Sequence, residues 1–236
     1  MIPRRTSKFG VEDPVVAEKV ITRWLTECDS EHERCHSITD RIAPVLPTRV
    51  LEVRGPQSVR LYVTGEGQER GFYACLSHCW GGVVPIRTTS KTLHHFETRG
   101  IPWDAFPKTF QDAVDMTRRL GLRYLWIDSL CILQDDIDDW RHEGSKMAEI
   151  YSGSYITLAA TSAPRSDAGL YQSSSTHRGK DYYIYTLSSS DHGGTPYKIV
   201  VYNQSPAGNA FFSGQLPLLK RAWVSSLSVN YLSDQD

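Results

Sequence analysis

The chain has 236 residues, 26 basic and 27 acidic side chains for a formal charge of −1, 40% hydrophobic residues and five cysteines. Near-neutrality argues against a general nucleic-acid binder, which relies on an excess of Lys and Arg to neutralise phosphates, and no apolar run approaches the roughly 20 residues needed to span a bilayer. The length suffices to bury a core without covalent staples, so the odd, irregularly spaced cysteines fit a reducing, cytoplasmic address better than a disulfide framework, and the basic start Met1-Ile-Pro-Arg-Arg lacks the apolar stretch of a secretory signal.

Val15, Val16, Val20, Ile21, Trp24 and Leu25 recur at helical spacing and predict an amphipathic helix over Pro14 to Cys28 with its Trp24 face inward. Arg49 to Val53 and Ser58 to Val63 flank Gly55-Pro56 and predict a hairpin. Tyr73-Ala-Cys-Leu-Ser77 reads as a short buried strand, and His78-Cys-Trp-Gly-Gly82 as the tight loop at its end. Next, Thr109-Phe-Gln-Asp112 resembles a capping box. Pro107 precedes it, Phe110, Ala113, Val114, Thr117 and Leu120 share one face, and Gly121 supplies the stop, which together predict a helix. Arg123-Tyr-Leu-Trp-Ile127 is a strand ending at Asp128, and Asp138-Asp-Trp opens a helix that runs to about Tyr151. Ser154 to Ala160, Tyr182 to Leu187 and Tyr197 to Tyr202 are further strands. The alternation of strand and helix from 71 to 161 predicts an α/β fold with a parallel sheet.

In such a sheet, ligands collect beyond the carboxyl ends of the strands. The loops Ser77 to Gly82 and Asp128 to Gln134 leave such ends, and if their strands are neighbours they share one crevice. The bland alternative is that Asp128 and Ser129 only cap the segment that follows. Glu143 lies on the stripe of Trp140, Met147, Ile150 and Tyr151, which should be apolar, so its carboxylate must be paired, protonated or used. A rim salt bridge to Arg141 or Lys146 is the plain reading. Cys28, His32 and Cys35 have spacing that suits zinc, although a fourth ligand from Cys75, His78, Cys79 or His36 depends on the fold, and a helix end with two buried thiols explains them equally. Cys131, between Leu130 and Ile132, reads as a core thiol. No Walker A, G-x-G-x-x-G, H-E-x-x-H or G-x-S-x-G motif occurs, and no basic patch is interleaved with aromatics.

Five ordered blocks resemble the heterokaryon incompatibility (HET) domain of filamentous fungi. These are Tyr73 to Gly81, Ile101-Pro-Trp103, Pro107 to Ala113, Leu120 to Ile132 with Gln134-Asp-Asp136, and Asp139-Trp-Arg-His-Glu143 through Met147 to Ile150-Tyr151. The resemblance is dense over residues 71–170, including Ala168-Gly-Leu170, and the segment from Trp24 to Cys35 resembles a stretch upstream in many members. It implies three parts: an N-terminal helix and hairpin over 1–70, a HET domain over 71–224, and a divergent, truncated tail over 225–236. In the tail, Arg221-Ala-Trp-Val224 departs from the usual Gln-Glu-Arg-Leu-Leu-Ser continuation.

The resemblance further implies an effector of programmed cell death in non-self recognition and self-association through the domain. The implied fold is similar to TIR domains: a flavodoxin-like parallel sheet flanked by helices, with added strands in the N- and C-terminal parts. Some TIR domains cleave NAD with a glutamate in a D-W-x-x-E-like stretch. By that similarity Glu143 is the catalytic residue, and Ser77, His78, Trp80, Gly81, Trp103 and Asp128 line the NAD crevice. A non-enzymatic adaptor that signals by assembly, or an inactive family member, accounts for the same blocks.

Overall fold

The computed structural model describes residues 13–31, 43–53, 55, 59–65, 69–81, 86–160 and 163–171, with the backbone alone of 183–187 and 197–201. Helix α1 (Pro14–Glu31) opens on Asp13, whose carboxylate accepts the Val15 N–H at 2.8 Å and whose carbonyl accepts the Ala17 N–H. Pro14 suits the first helical position, where its missing N–H costs nothing. The predicted helix is present and reaches beyond Cys28, but its inward face differs from expectation. Ala17, Ile21 and Leu25 are buried, Trp24 is half-buried beside them, and Val15 is exposed.

Strands β1 (Arg49–Glu52) and β2 (Arg60–Val63) form the predicted antiparallel hairpin, with Arg49 opposite Val63. β1 also pairs antiparallel with β4 (Tyr124–Ile127), Leu51 facing Leu125, so the hairpin joins the central sheet. At the centre, β3 (Tyr73–Ser77) runs parallel to β4 on one side and to β5 (Ile156–Ala159) on the other. Beyond β5 lie β7 (Tyr197–Val201), parallel to it, and β6 (Tyr183–Leu187), antiparallel to β7, which gives the order β2-β1-β4-β3-β5-β7-β6.

Every residue of β3, β4 and β5 is buried, which demands cover on both faces. Helix α2 (Leu93–Thr98), a 3-10 turn at Trp103–Ala105 and α3 (Lys108–Arg119) connect β3 to β4, and α3 buries Phe110, Ala113, Val114 and Thr117. Helices α4 (Asp128–Cys131), α5 (Ile137–Ser145) and α6 (Met147–Gly153) connect β4 to β5. The crossovers β3 to β4 and β4 to β5 run in opposite directions along the sheet, so right-handed connections put α3 and α6 on opposite faces. On the α6 face, the Tyr73 hydroxyl donates to the Ile150 carbonyl at 2.6 Å, and the Trp126 ring stands edge-on to Tyr151 at 5.5 Å.

Two local expectations fail for physical reasons. The stretch from Asp138 to Tyr151 is two helices, because the chain passes Gly144-Ser145, both weaker helix formers, and the Lys146 N–H turns back to the Glu143 carbonyl at 3.1 Å. The capping box is absent, because α3 starts at Lys108 after Pro107 and has no side-chain cap. Thr109 and Asp112 instead clamp the segment after β5. Thr109 Oγ1 accepts the Gly169 N–H at 3.0 Å, Asp112 Oδ2 accepts the Leu170 N–H at 2.9 Å, and the Thr109 N–H donates to the Ser166 carbonyl.

Gly169 is required there. Its φ is +86°, and an added Cβ would stand 2.9 Å from Asp112 Oδ2. We expect Gly169→Ala to lose at least about 1–2 kcal/mol from the left-handed backbone alone, read as a lower urea midpoint. An unchanged midpoint would show that position 169 does not need glycine.

Among the described residues, no helix is long and apolar enough to cross a membrane.

Candidate functional site

The chain sends β4 to one side of β3 and β5 to the other, so the loops leaving β3 diverge from their neighbours at its carboxyl end. The two loops expected to share a crevice do meet there. Trp80 Nε1 donates to both oxygens of Asp128, at 3.1 and 3.2 Å, and His78 Nδ1 lies 4.0 Å from Asp128 Oδ1. Asp128, the first residue of α4, also accepts the Ser129 N–H at 2.8 Å, although α4 has no side-chain cap at its N-cap position.

His78 is buried with its ring edge-on to Phe110 at 4.9 Å, on the α3 side of the sheet. Strand alternation gives Ser77 the parity of Tyr73 and Cys75, whose side chains reach Ile150 of α6. Ser77 therefore belongs to the opposite face from His78. The hydroxyls of Ser77 and Ser129 are both buried and make no hydrogen bond among the described residues. Gly81, with φ +71°, lets Arg165 of the loop after β5 lie against its backbone, where an added Cβ would meet Arg165 Cγ at 2.3 Å. Arg165 is held by Asp167 at 2.8 Å.

Glu143 is 1% exposed, so the rim salt bridge is overturned. The helix does not present it on a shared stripe with Trp140, which is 52% exposed. Oε1 accepts the Thr48 hydroxyl at 2.7 Å and lies 3.9 Å from His142 Nε2, while Oε2 has no hydrogen-bond partner among the described residues. One turn earlier on α5, Asp139 receives Arg49 Nη2 at 2.6 Å on each oxygen and the Leu133 N–H at 2.8 Å. Arg49 Nε reaches the Cys131 carbonyl at 2.7 Å.

Thus Asp139 and Glu143, four residues apart on α5, both grip the start of β1. Because β1 is antiparallel to β4, its start lies at the carboxyl end of the parallel strands. Sequence reasoning missed Thr48 and Arg49. They lie about ninety residues from their partners, and the only local signal is a cation at the head of the apolar run Val50-Leu51.

The other expected site residues are distributed as follows. Trp103 packs edge-on to Phe106 at 6.0 Å and beneath the Arg118 guanidinium, and Phe106 and Phe110 connect it to His78. His32, Cys35 and the Cys28 side chain lie outside the described residues, among which no cluster of three metal-binding side chains occurs.

Cys131 is a core thiol, pushed up to about 12 by burial, and burial also holds Cys75 well above its ordinary value. Cys79 is half-buried. A thiol reagent near pH 8 should therefore spare Cys75 and Cys131 in the folded protein, modify Cys79, and reach all three in denaturant, as mapped by mass spectrometry. Rapid native labelling of Cys131 would contradict its burial.

The family model of the heterokaryon incompatibility protein (HET) matches residues 73–226, from the first residue of β3 through all the parallel strands. The chain belongs to the HET family, which points to a role in heterokaryon incompatibility. No curated protein and no solved structure matches it.

Proposed function

We propose that this HET domain is a cytoplasmic effector of non-self recognition and programmed cell death that hydrolyses NAD, with Glu143 as the catalytic carboxylate. The observation that carries this reading is a carboxylate 1% exposed at the carboxyl end of the sheet, with one oxygen held by Thr48 and the other without a partner. Buried polar atoms are nearly always satisfied, and a buried carboxylate oxygen that accepts no hydrogen bond is costly. A ribose hydroxyl supplies the missing donor. The D-W-x-x-E arrangement of Asp139, Trp140 and Glu143, similar to that of NAD-cleaving TIR domains, adds to the case.

In the reaction, the bond from ribose C1′ to the nicotinamide nitrogen breaks, and its electron pair leaves with nicotinamide. Positive charge develops on the ribose ring, where a fixed carboxylate stabilises it. Water then adds at C1′ and releases a proton, giving ADP-ribose. Ser77 would approach from the α6 face, and His78, Trp80, Gly81 and Asp128 would line the remainder of the crevice. Trp103, behind Phe106, would act at its periphery. Expression in yeast should lower cellular NAD as growth stops and release nicotinamide and ADP-ribose. Normal NAD in arrested cells would sink the enzymatic reading.

A second reading, an adaptor that signals only by self-association, is favoured by one observation. Ile137 and Trp140 stand 58% and 52% exposed one turn apart on α5, an apolar pair of the kind that contacts between copies bury.

A further inference from the structure

Resting on the NAD-cleaving reading, we propose that Thr48, which lies outside the matched family region, is the positioning residue for Glu143, so that the N-terminal hairpin completes the catalytic site. The Thr48 hydroxyl donates to Glu143 Oε1 at 2.7 Å, and it is the hydrogen bond that fixes the carboxylate's rotation. His142 Nε2 is 3.9 Å away on a side chain 63% exposed, too far for a hydrogen bond.

Thr48 is itself held in place. The Thr64 N–H and hydroxyl both bond to its carbonyl, at 3.0 and 3.1 Å, which ties it across the hairpin to the end of β2. The next residue, Arg49, is locked to Asp139 and to the Cys131 carbonyl. The hairpin therefore delivers one hydroxyl to one carboxylate oxygen from a backbone tied down on both sides, and leaves Oε2 free of that contact. Small displacements of a reacting group lose rate steeply, so the hydroxyl should appear in turnover rather than in substrate affinity.

The test compares the full chain with Thr48→Val, which keeps the shape and removes the donor, and Thr48→Ser, which keeps the donor. Thr48→Val should lower kcat for NAD cleavage roughly 10- to 100-fold with KM changed less than about twofold, and Thr48→Ser should stay within about threefold of the parent. Full kcat in the valine variant, or equal loss in valine and serine variants of equal melting temperature, overturns the proposal. If the valine variant does not fold, Thr48→Ala carries the same comparison.

The carboxyl carbon signal of Glu143 in 13C-labelled protein separates this proposal from the NAD reading. Valine should move it, and serine should return it to the parent position. A parent chain that cleaves no NAD but shows that pattern sinks the NAD reading and keeps Thr48 as the group that sets Glu143. A signal unmoved by valine overturns the role of Thr48.

Discussion

Glu143→Gln is expected to abolish NAD loss and growth arrest together while leaving the fold intact. The amide is isosteric. Its carbonyl oxygen can still accept the Thr48 hydroxyl at the position of Oε1, and its NH2 replaces Oε2, the oxygen that has no partner. The variant keeps the Thr48 contact but places an amide NH2 where Oε2 stood, so unfolding free energy should fall by no more than about 1–3 kcal/mol. Catalysis should not survive, because a neutral amide cannot oppose the positive charge that develops on the ribose. A fall of about 10²- to 10³-fold or more in kcat follows from the usual weight of one preorganised electrostatic contact. Purified parent and variant, compared for nicotinamide release and for urea midpoint, give both numbers. Full toxicity of a stable Glu143→Gln protein would transfer the function to assembly, and the exposed pair Ile137 and Trp140 would become the place to mutate.

The parts of this fold that could be read from sequence are those whose determinants lie within a few residues. β3 is legible because Tyr73 to Ser77 is a continuous apolar run bounded by a glycine loop, and each of its five residues is buried. α3 is legible from its stripe. Its first turn is not, because Thr109 and Asp112 spend their side chains on Gly169 and Leu170, about sixty residues away, and a local capping pattern cannot reveal that. Glu143 shows the same division. Its position on a helix after β4 was readable, and so was the unusual place of a carboxylate. Its burial was not, since that depends on Thr48, just ahead of β1 and 95 residues away in the chain. Trp140 failed in the opposite direction. Large and apolar, it shares a predicted stripe with Met147 and Ile150, yet it stands 52% exposed while Glu143, three residues on, is buried.

Arg49→Ala should be the most destabilising single substitution in the site, at about 3–5 kcal/mol, against a total of about 5–15 kcal/mol for an ordinary domain. The Arg49 side chain is 7% exposed and that of Asp139 is 16% exposed, so the pair sits largely out of water. Truncating the cation strands the Asp139 carboxylate with only the Leu133 N–H and leaves the Cys131 carbonyl without its donor. Arg49→Lys should recover only part of the loss, since one ammonium cannot span both the carbonyl and the carboxylate as the guanidinium does. Removing both charges in Arg49→Met with Asp139→Leu should cost less than Arg49→Ala alone, because no charge is then buried without its partner. Urea denaturation of the four proteins measures this directly, and an Arg49→Ala midpoint within about 0.5 kcal/mol of the parent would contradict the pair's burial. The consequence extends to the chemistry. Asp139 and Glu143 are one turn apart on α5 and hold adjacent residues of β1, so loss of the Arg49 clamp should also slacken the Thr48 contact. The double variant should then regain stability without regaining the activity that depends on a fixed Glu143.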